Sequence, residues 1–224
     1  MTGREVQLVA YPHGEVRSSD FRVIEVEVPE PEPGEVLVRN TWTSVDAALR
    51  LRLRAEGPAG YFTAFPLETA MDGIFTVGEI VESHADGFEA GDTVWHAAGW
   101  RDYAVVEAGM PALGGIATLT KLDLSVAPAQ AYLGVLGGNG LTAYAGLFRV
   151  AGLHDGDVVW VSAAAGAVGS LVVQMAKIRG NRVIGSAGSD EKVAYLIGEL
   201  GVDAAFNYKS GPLPELLQIG RAHV

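Results

Sequence analysis

The sequence predicts an α/β protein: a small barrel-like β domain over residues 1–125, followed by the first half of a doubly wound, Rossmann-type parallel sheet over residues 126–218. Three observations predict it. Short runs rich in Val, Ile and aromatic residues, separated by Pro and Gly turns, dominate the first half. Apart from one segment, helical apolar periodicity begins only after Pro128. Strand, helix, strand, helix, strand then follow in order through residues 157–208, which implies parallel strands joined by right-handed crossovers.

The β elements are taken first. "REVQLVAY", "FRVIEVEV", "GEVLVRNTW", "TVGEIVES", "DTVWHAA" and "DYAVVE" read as short strands with partial alternation. "PEPEPGE", "SHADGFEAGD" and "AAGW" are the turns between them; Pro29, Pro31 and Pro33 stiffen the first before it turns at Gly34. "SVDAALRLRLRAE" (44–56) is the one helix expected here, capped by Ser44 or Asp46. Five or six short strands with one helix suit a small barrel. Beyond Pro128, "AQAYLGVL" and "GLTAYAGLFRVAG" are expected to be two short buried helices around a glycine-rich turn. "DVVWVSA", "NRVIGSA" and "DAAFNY" are the parallel strands, and "AVGSLVVQMAKIRG" and "SDEKVAYLIGELG" the helices between them, closed by Gly180 and Gly201.

Composition excludes several functions. With 27 acidic against 16 basic residues the net charge is −11, which argues against a nucleic-acid groove lined by Lys and Arg. There is no cysteine, so disulfides, thiolate nucleophiles and Cys-ligated zinc are ruled out. His13, His84, His96, His154 and His223 are scattered without ligand spacing, and no metal is expected. The N-terminus lacks the apolar core of a secretory signal. The uncharged stretch between Asp123 and Arg149 is long enough to span a bilayer, but Pro128, Gln130, Asn139 and Gly134, Gly137, Gly138 and Gly140 interrupt it. A soluble, cytoplasmic protein with no membrane partner is expected.

The candidate site lies in "VVWVSAAAGAVGSLVVQMAK", residues 158–177. Gly166 and Gly169 fall at a strand–helix junction, where main-chain N–H groups and the helix dipole favour an anion. The dinucleotide fingerprint has three glycines, and Ala164 stands in the first place; it can serve there if its φ stays negative. Small residues around it would let a pyrophosphate approach. A tight turn with no ligand is the plain alternative. The second strand ends in "IGSAGSDEK", where Gly185 to Ser189 carry no charge. An acidic residue there would bond the ribose hydroxyls of NAD, and its absence removes an obstacle to a 2′-phosphate. Lys192 can meet that phosphate as a point charge, and Tyr208 can bond it or stack on adenine. Either residue alone reads equally as a solvated helix lysine or a strand-end aromatic. Together with the loop they favour NADP(H).

These residues resemble a known family. From about residue 20 to 217 the chain looks like a zinc-independent medium-chain dehydrogenase/reductase, of the prostaglandin reductase, leukotriene B4 12-hydroxydehydrogenase and alkenal double-bond reductase group. "EPGEVLVRN", "GEIVESHADGFEAGDTV", "GWRDYAVV", "LGVLGGNGLTAYAGL", "VSAAAGAVGS", "AGSDEKVAYL" and "ELGVDAAFNYK" carry the resemblance, in order. It implies a GroES-like first domain, and NADP(H) held by Gly166, Ala167, Val168 and Gly169, then Lys192 and Tyr208, with Thr142 near the nicotinamide end. Zinc-dependent relatives carry G-H-E and a catalytic Cys; the region here reads "DGIFTVGE". The chain departs from the pattern where "DAALRLRL" replaces "DPYMRGRM" and "GGNG" replaces "GMPG", which alters the pocket expected along Asp46 to Leu53.

The resemblance implies an NADPH-dependent reductase of activated C=C bonds in small enones and enals, with hydride delivered to the β-carbon and no metal. Tyr61, Phe62 and Trp100 are candidate pocket liners, with ordinary core packing as the alternative. No catalytic residue is assigned, since the family's proton-donating Tyr has no counterpart before residue 224. A quinone oxidoreductase and a catalytically silent NADPH-binding protein are the alternatives. A methyltransferase would need an acidic residue at the second strand end. The chain is expected to be cut short and inactive by itself, with the first parallel strand left as an open edge, and the full-length protein is a candidate homodimer. Residues 219–224 can be spelled by the start of a common sequencing adapter and are expected not to be native.

Overall fold

A computed structural model describes residues 1–56, 62–111 and 118–216. The chain divides into two compact units, Met1–Leu133 and Gly134–Val224. Tyr61 and the 219–224 tail lie outside the described residues. Among the described residues no helix is long and apolar enough to cross a membrane.

The first unit is built on antiparallel strands. β1 (Thr2–Leu8) pairs with β2 (Phe21–Glu27). β3 (Glu35–Thr43), β4 (Thr76–Ser83), β5 (Thr93–His96), β6 (Tyr103–Glu107) and β7 (Thr120–Lys121) form a five-stranded sheet in the order β6-β3-β4-β5-β7. The two sheets are stitched by main-chain bonds, Val6 N to Trp100 O at 2.8 Å and Asp102 N to Arg4 O at 2.8 Å. Alternation along β3 to β5 puts Val36, Val38, Ile80 and Val94 into one core. Leu8, Leu49, Leu53, Phe65, Met71 and Ile74 form another.

The helix expected over 44–56 shrinks to α1 (Leu49–Arg52), and neither expected cap serves it. Ser44 Oγ donates to the Asp46 carboxylate and accepts from Phe75 N at 3.3 Å, so both caps are engaged at the strand end. Downstream, the Arg52 carbonyl accepts from Phe65 N at 2.9 Å, and the helix cannot continue through it.

The first unit ends in a 3-10 turn (Ala129–Leu133), and the second opens with α2 (Gly138–Tyr144), which runs into a π-helical turn over Ala145–Val150. The glycine-rich segment therefore starts a helix as well as turning. A Cβ at Gly140 would lie 1.7 Å from the Val135 carbonyl oxygen, so the chain folds back too tightly there for any side chain. The expectation of two buried helices is corrected: the 3-10 turn has no buried residue, and Leu141, Tyr144 and Val150 are exposed.

β8 (Val158–Val161), α3 (Ala167–Ile178), β9 (Arg182–Ala187), α4 (Asp190–Gly198) and β10 (Ala204–Asn207) follow, with a short α5 (Leu213–Leu216). The sheet is parallel in the order β10-β9-β8, the 3-2-1 half of a doubly wound sheet. Among the described residues β8 pairs only with β9, and its Val158 and Trp160 are exposed. Val173 and Ala176 of α3 and Leu196 of α4 pack on Val161 and Val183. Both helices close as expected beside a glycine: Asn181 N bonds Ala176 O at 3.1 Å around Gly180, and Val202 N bonds Leu196 O at 3.2 Å around Gly201.

Candidate cofactor and substrate sites

The loop between β8 and α3 is a tight backbone turn. Ala163 takes a positive φ of 47°, its carbonyl accepts from Gly166 N at 2.8 Å, and Ala164 N donates to Ser186 O at 2.9 Å. Ala164 is fully buried and is not among the residues with positive φ, which meets the condition for standing in the first glycine place. Gly166 is the N-cap of α3, extended at φ −84° and ψ 174°, with no side chain capping the helix. The first intrahelical bond is Ser170 N to Gly166 O at 2.9 Å. The N–H groups of Ala167, Val168 and Gly169 therefore have no partner among the described residues, and no acidic side chain sits in that turn. Gly166 and Ala167 are exposed. A Cβ at Gly169 would stand 2.4 Å from Ala163 O, so only glycine lets the helix come this close to the loop. Three unpaired amides at the positive end of a helix, with no side chain capping them, fit a pyrophosphate.

The second strand end lies one β-α unit further on. α4 is capped by Ser189, whose Oγ accepts from Lys192 N at 3.4 Å, and Lys192 is exposed in its first turn. Tyr208 is half exposed, directly after β10, with its N bonded to Ala187 O at 3.1 Å. A Cβ at Gly188 would meet Tyr208 Oη at 3.0 Å, so the ring lies against the end of β9. Lys192 and Tyr208 are thus brought to neighbouring strand ends. Thr142 is exposed on α2, which packs against α3. Sequence reasoning missed Asn207, whose amide donates to Asp190 Oδ1 at 2.9 Å while its Oδ1 accepts from Lys209 N at 3.1 Å. It also missed the left-handed Ala163, for which an alanine gives no signal.

The first unit holds an apolar cavity of about 330 Å³, lined by Phe21, Val45, Leu49, Leu53, Met71 and Trp100, with Asp46 and Arg50 as its polar members. That volume is at the lower end of the small-molecule range. The cavity includes much of the segment 46–53 singled out above. Trp100 holds a positive φ of 55°, and its indole N–H is buried without a partner among the described residues. Neighbouring Arg101 fixes the turn through Gly99 O (3.1 Å), Met71 O (3.3 Å) and Asp72 Oδ1 (3.1 Å). Phe62 packs, as Trp100 does, against the Leu8–Phe65 core that also supplies Leu49, Leu53 and Met71, but it is not among the residues lining the cavity. "DGIFTVGE" contributes to packing: Ile74 is buried and Phe75 stacks on Trp95 at 4.9 Å. Among the described residues no cluster of three or more His, Asp or Glu side chains could hold a metal.

Comparison with known proteins places this geometry. Residues 4–112 match the family model described as the N-terminal domain of oxidoreductase, and residues 167–222 match the model described as zinc-binding dehydrogenase. The chain belongs to the medium-chain dehydrogenase/reductase family. Its curated relatives include proteins named as an NADP-dependent oxidoreductase, a 2-alkenal reductase, a (+)-pulegone reductase and prostaglandin reductases. It is 44% identical over 209 residues to the Bacillus subtilis oxidoreductase YfmJ, named as NADP-dependent, covering 92% of this chain and 58% of that protein. It is 38% identical over 214 residues to the 2-alkenal reductase (NADP(+)-dependent) of Nicotiana tabacum, covering 93% and 59%. The structure of CurA from Vibrio vulnificus in complex with NADPH superimposes with a TM-score of 0.84 at 32% identity, over 97% of this chain and 61% of that one. The chain thus spans a little under 60% of the length of the curated relatives named here.

Proposed function

We propose that this chain carries the substrate-side domain and the cofactor-phosphate half of an NADPH-dependent reductase of activated C=C bonds in α,β-unsaturated ketones and aldehydes. The observation that carries the reading is the uncapped start of α3, with three unpaired amides at a close loop–helix junction that only a glycine at 169 permits. NADPH, when bound, would supply a hydride to the substrate's β-carbon. The amides of Ala167, Val168 and Gly169 would hold its pyrophosphate, and Gly166 would let the phosphates approach. Lys192 would meet the 2′-phosphate and Tyr208 would bond it or cover the adenine. Thr142 would stand toward the nicotinamide end. The apolar cavity beside Trp100 would take the hydrocarbon body of a small enone and keep water from it. The use of "DGIFTVGE" for packing supports a metal-free reaction, in which a hydrogen-bond donor, not a Lewis acid, polarises the carbonyl. A cytoplasmic setting is part of the same proposal.

The test is NADPH oxidation by protein expressed from the complete reading frame, with an enone, an enal and a quinone offered in parallel. Enone-dependent oxidation with NADPH strongly preferred over NADH is expected, and Lys192→Glu should abolish that preference. Turnover confined to quinones would overturn the substrate reading. An unchanged preference in Lys192→Glu would overturn the cofactor reading.

A further inference from the structure

We propose that Lys209 is a second cation for the 2′-phosphate of the dinucleotide, acting together with Lys192. The inference rests on the NADPH reading above and names a residue that the reading does not contain.

The chain has four lysines in a protein of net charge −11. Two are neutralised: Lys121 pairs with Asp92 at 2.6 Å and Lys177 with Asp203 at 2.9 Å. Among the described residues, Lys192 and Lys209 have no carboxylate partner, although acidic residues outnumber basic ones. Both follow the carboxyl ends of the parallel strands. α4, which carries Lys192, begins just after β9, and Lys209 follows just after β10. β9 and β10 are neighbours, with Ala187 opposite Asn207 in the last register pair. Adjacent strands run about 4.8 Å apart, so the segments leaving them start side by side.

The side chains sharpen the placement. Lys209 Nζ is 5.9 Å from the centre of the Tyr208 ring, and that ring lies against Gly188 at the end of β9. The ammonium therefore stands beside the ring proposed to bond the 2′-phosphate or cover the adenine. Two carboxylates share the neighbourhood, Asp190 and Glu191, both in the first turn of α4. Asn207 holds the first of them: its Nδ2 bonds Asp190 Oδ1 at 2.9 Å, while its Oδ1 accepts from Lys209 N at 3.1 Å. One amide thus anchors the backbone of the cation and gives the carboxylate a neutral partner, leaving the ammonium unclaimed. A ribose 2′-hydroxyl offers an ammonium no charge and a 2′-phosphate offers nearly two, so Lys209 acts on one cofactor and not the other.

The probes are 2′,5′-ADP and 5′-AMP, which differ by the 2′-phosphate, titrated calorimetrically into protein from the complete reading frame. Lys209→Gln is expected to weaken 2′,5′-ADP about three- to tenfold, as an ammonium several ångströms from a phosphate in salty water would. Binding of 5′-AMP and the melting temperature should stay as in the wild type, and Lys209→Arg should restore the affinity. The salt dependence of 2′,5′-ADP binding should flatten in the Gln variant. If Lys192→Gln lowers the 2′,5′-ADP preference and Lys209→Gln does not, the inference fails and the cofactor reading stands. If Lys209→Gln weakens both probes equally, its role is structural and the inference fails. If the wild type shows no preference for 2′,5′-ADP, the cofactor reading itself fails and takes the inference with it.

Discussion

Substituting Gly169 by Ala tests the cofactor loop through a contact that can be worked out atom by atom. The added Cβ would stand 2.4 Å from Ala163 O, 2.9 Å from Ala164 Cα and 3.0 Å from Ala163 C. All three are main-chain atoms, so no side chain can swing aside. Ordinary contact begins near 3.4 Å; about 1 Å must open between the loop and the first turn of α3. Neither side yields easily. Ala164 is fully buried and bonded to Ser186, and α3 is anchored by Val173 and Ala176, both fully buried. Overpacking of this kind costs about 1–3 kcal/mol, partly offset by the higher helix propensity of Ala. For a protein of this size, each kcal/mol lowers Tm by about 2–4 °C. The same shift would carry the amides of residues 167–169 away from the pyrophosphate, and NADPH affinity should fall by about tenfold or more. Gly198→Ala is the control: it lies in α4 with no atom within 4 Å of its added Cβ, and should be neutral or stabilising by about 0.5 kcal/mol. Thermal melts and NADPH titration of both variants decide. A Gly169→Ala protein that melts and binds like the wild type would refute the reasoning.

His96 gives a pH prediction: burial first, and the nearby Arg101 charge second, depress its pKa to about 3. The folded state refuses a proton that the unfolded state takes near pH 6.5, so this stability is complete above that pH and is lost as pH falls toward 3. The slope is about 1.4 kcal/mol per unit at most, and denaturation curves should show it flattened in His96→Asn, whose side chain does not titrate. Val45 is a highly exposed residue of the apolar cavity, so Val45→Asp should raise the enone KM about fivefold while leaving Tm unchanged; an unaltered KM would remove the cavity from the substrate path. Arg52 stacks on Phe65 at 3.8 Å, donates to Thr63 O at 3.0 Å and has its pKa lowered by burial. Arg52→Ala should therefore cost about 1–3 kcal/mol in chemical denaturation, more than loss of an exposed arginine would.

The parallel half was legible because each of its elements carries its own local signal. Ser189 caps α4 with its own side chain, Gly180 and Gly201 close the two helices, and the apolar runs between them pack as read. The segment 44–56 was misread because its helix signals compete with distant partners. Phe75 N takes Ser44 Oγ and Phe65 N takes the Arg52 carbonyl, and neither bond is visible in a local window. The 138–150 segment shows the limit of apolar periodicity, which reports that a face is greasy and not that something covers it. At the candidate site, Gly169 could be read from its residue type, since only a glycine fits there. Asn207 could not, because its two partners lie on different elements and 17 residues separate it from Asp190.

The two helix starts of the second unit divide the recognition of a dinucleotide between different physical terms. α3 begins without a side-chain cap and without an acidic residue, so its positive end is available to an anion. α4 begins with a Ser cap followed by Asp190 and Glu191, so its own carboxylates already answer its dipole. A phosphate near α4 would gain little from main-chain amides and must be met by side chains. Pyrophosphate binding at α3 should then resist side-chain substitution and respond to backbone displacement, as in Gly169→Ala. Discrimination of the 2′-phosphate should do the reverse, responding to lysine charge and to salt. A single variant series, with Gly169→Ala affecting both nucleotides and Lys192→Glu affecting only NADPH, separates the two terms; a Lys192→Glu effect equal on both cofactors, or a Gly169→Ala effect confined to NADPH, would mean that the division does not exist.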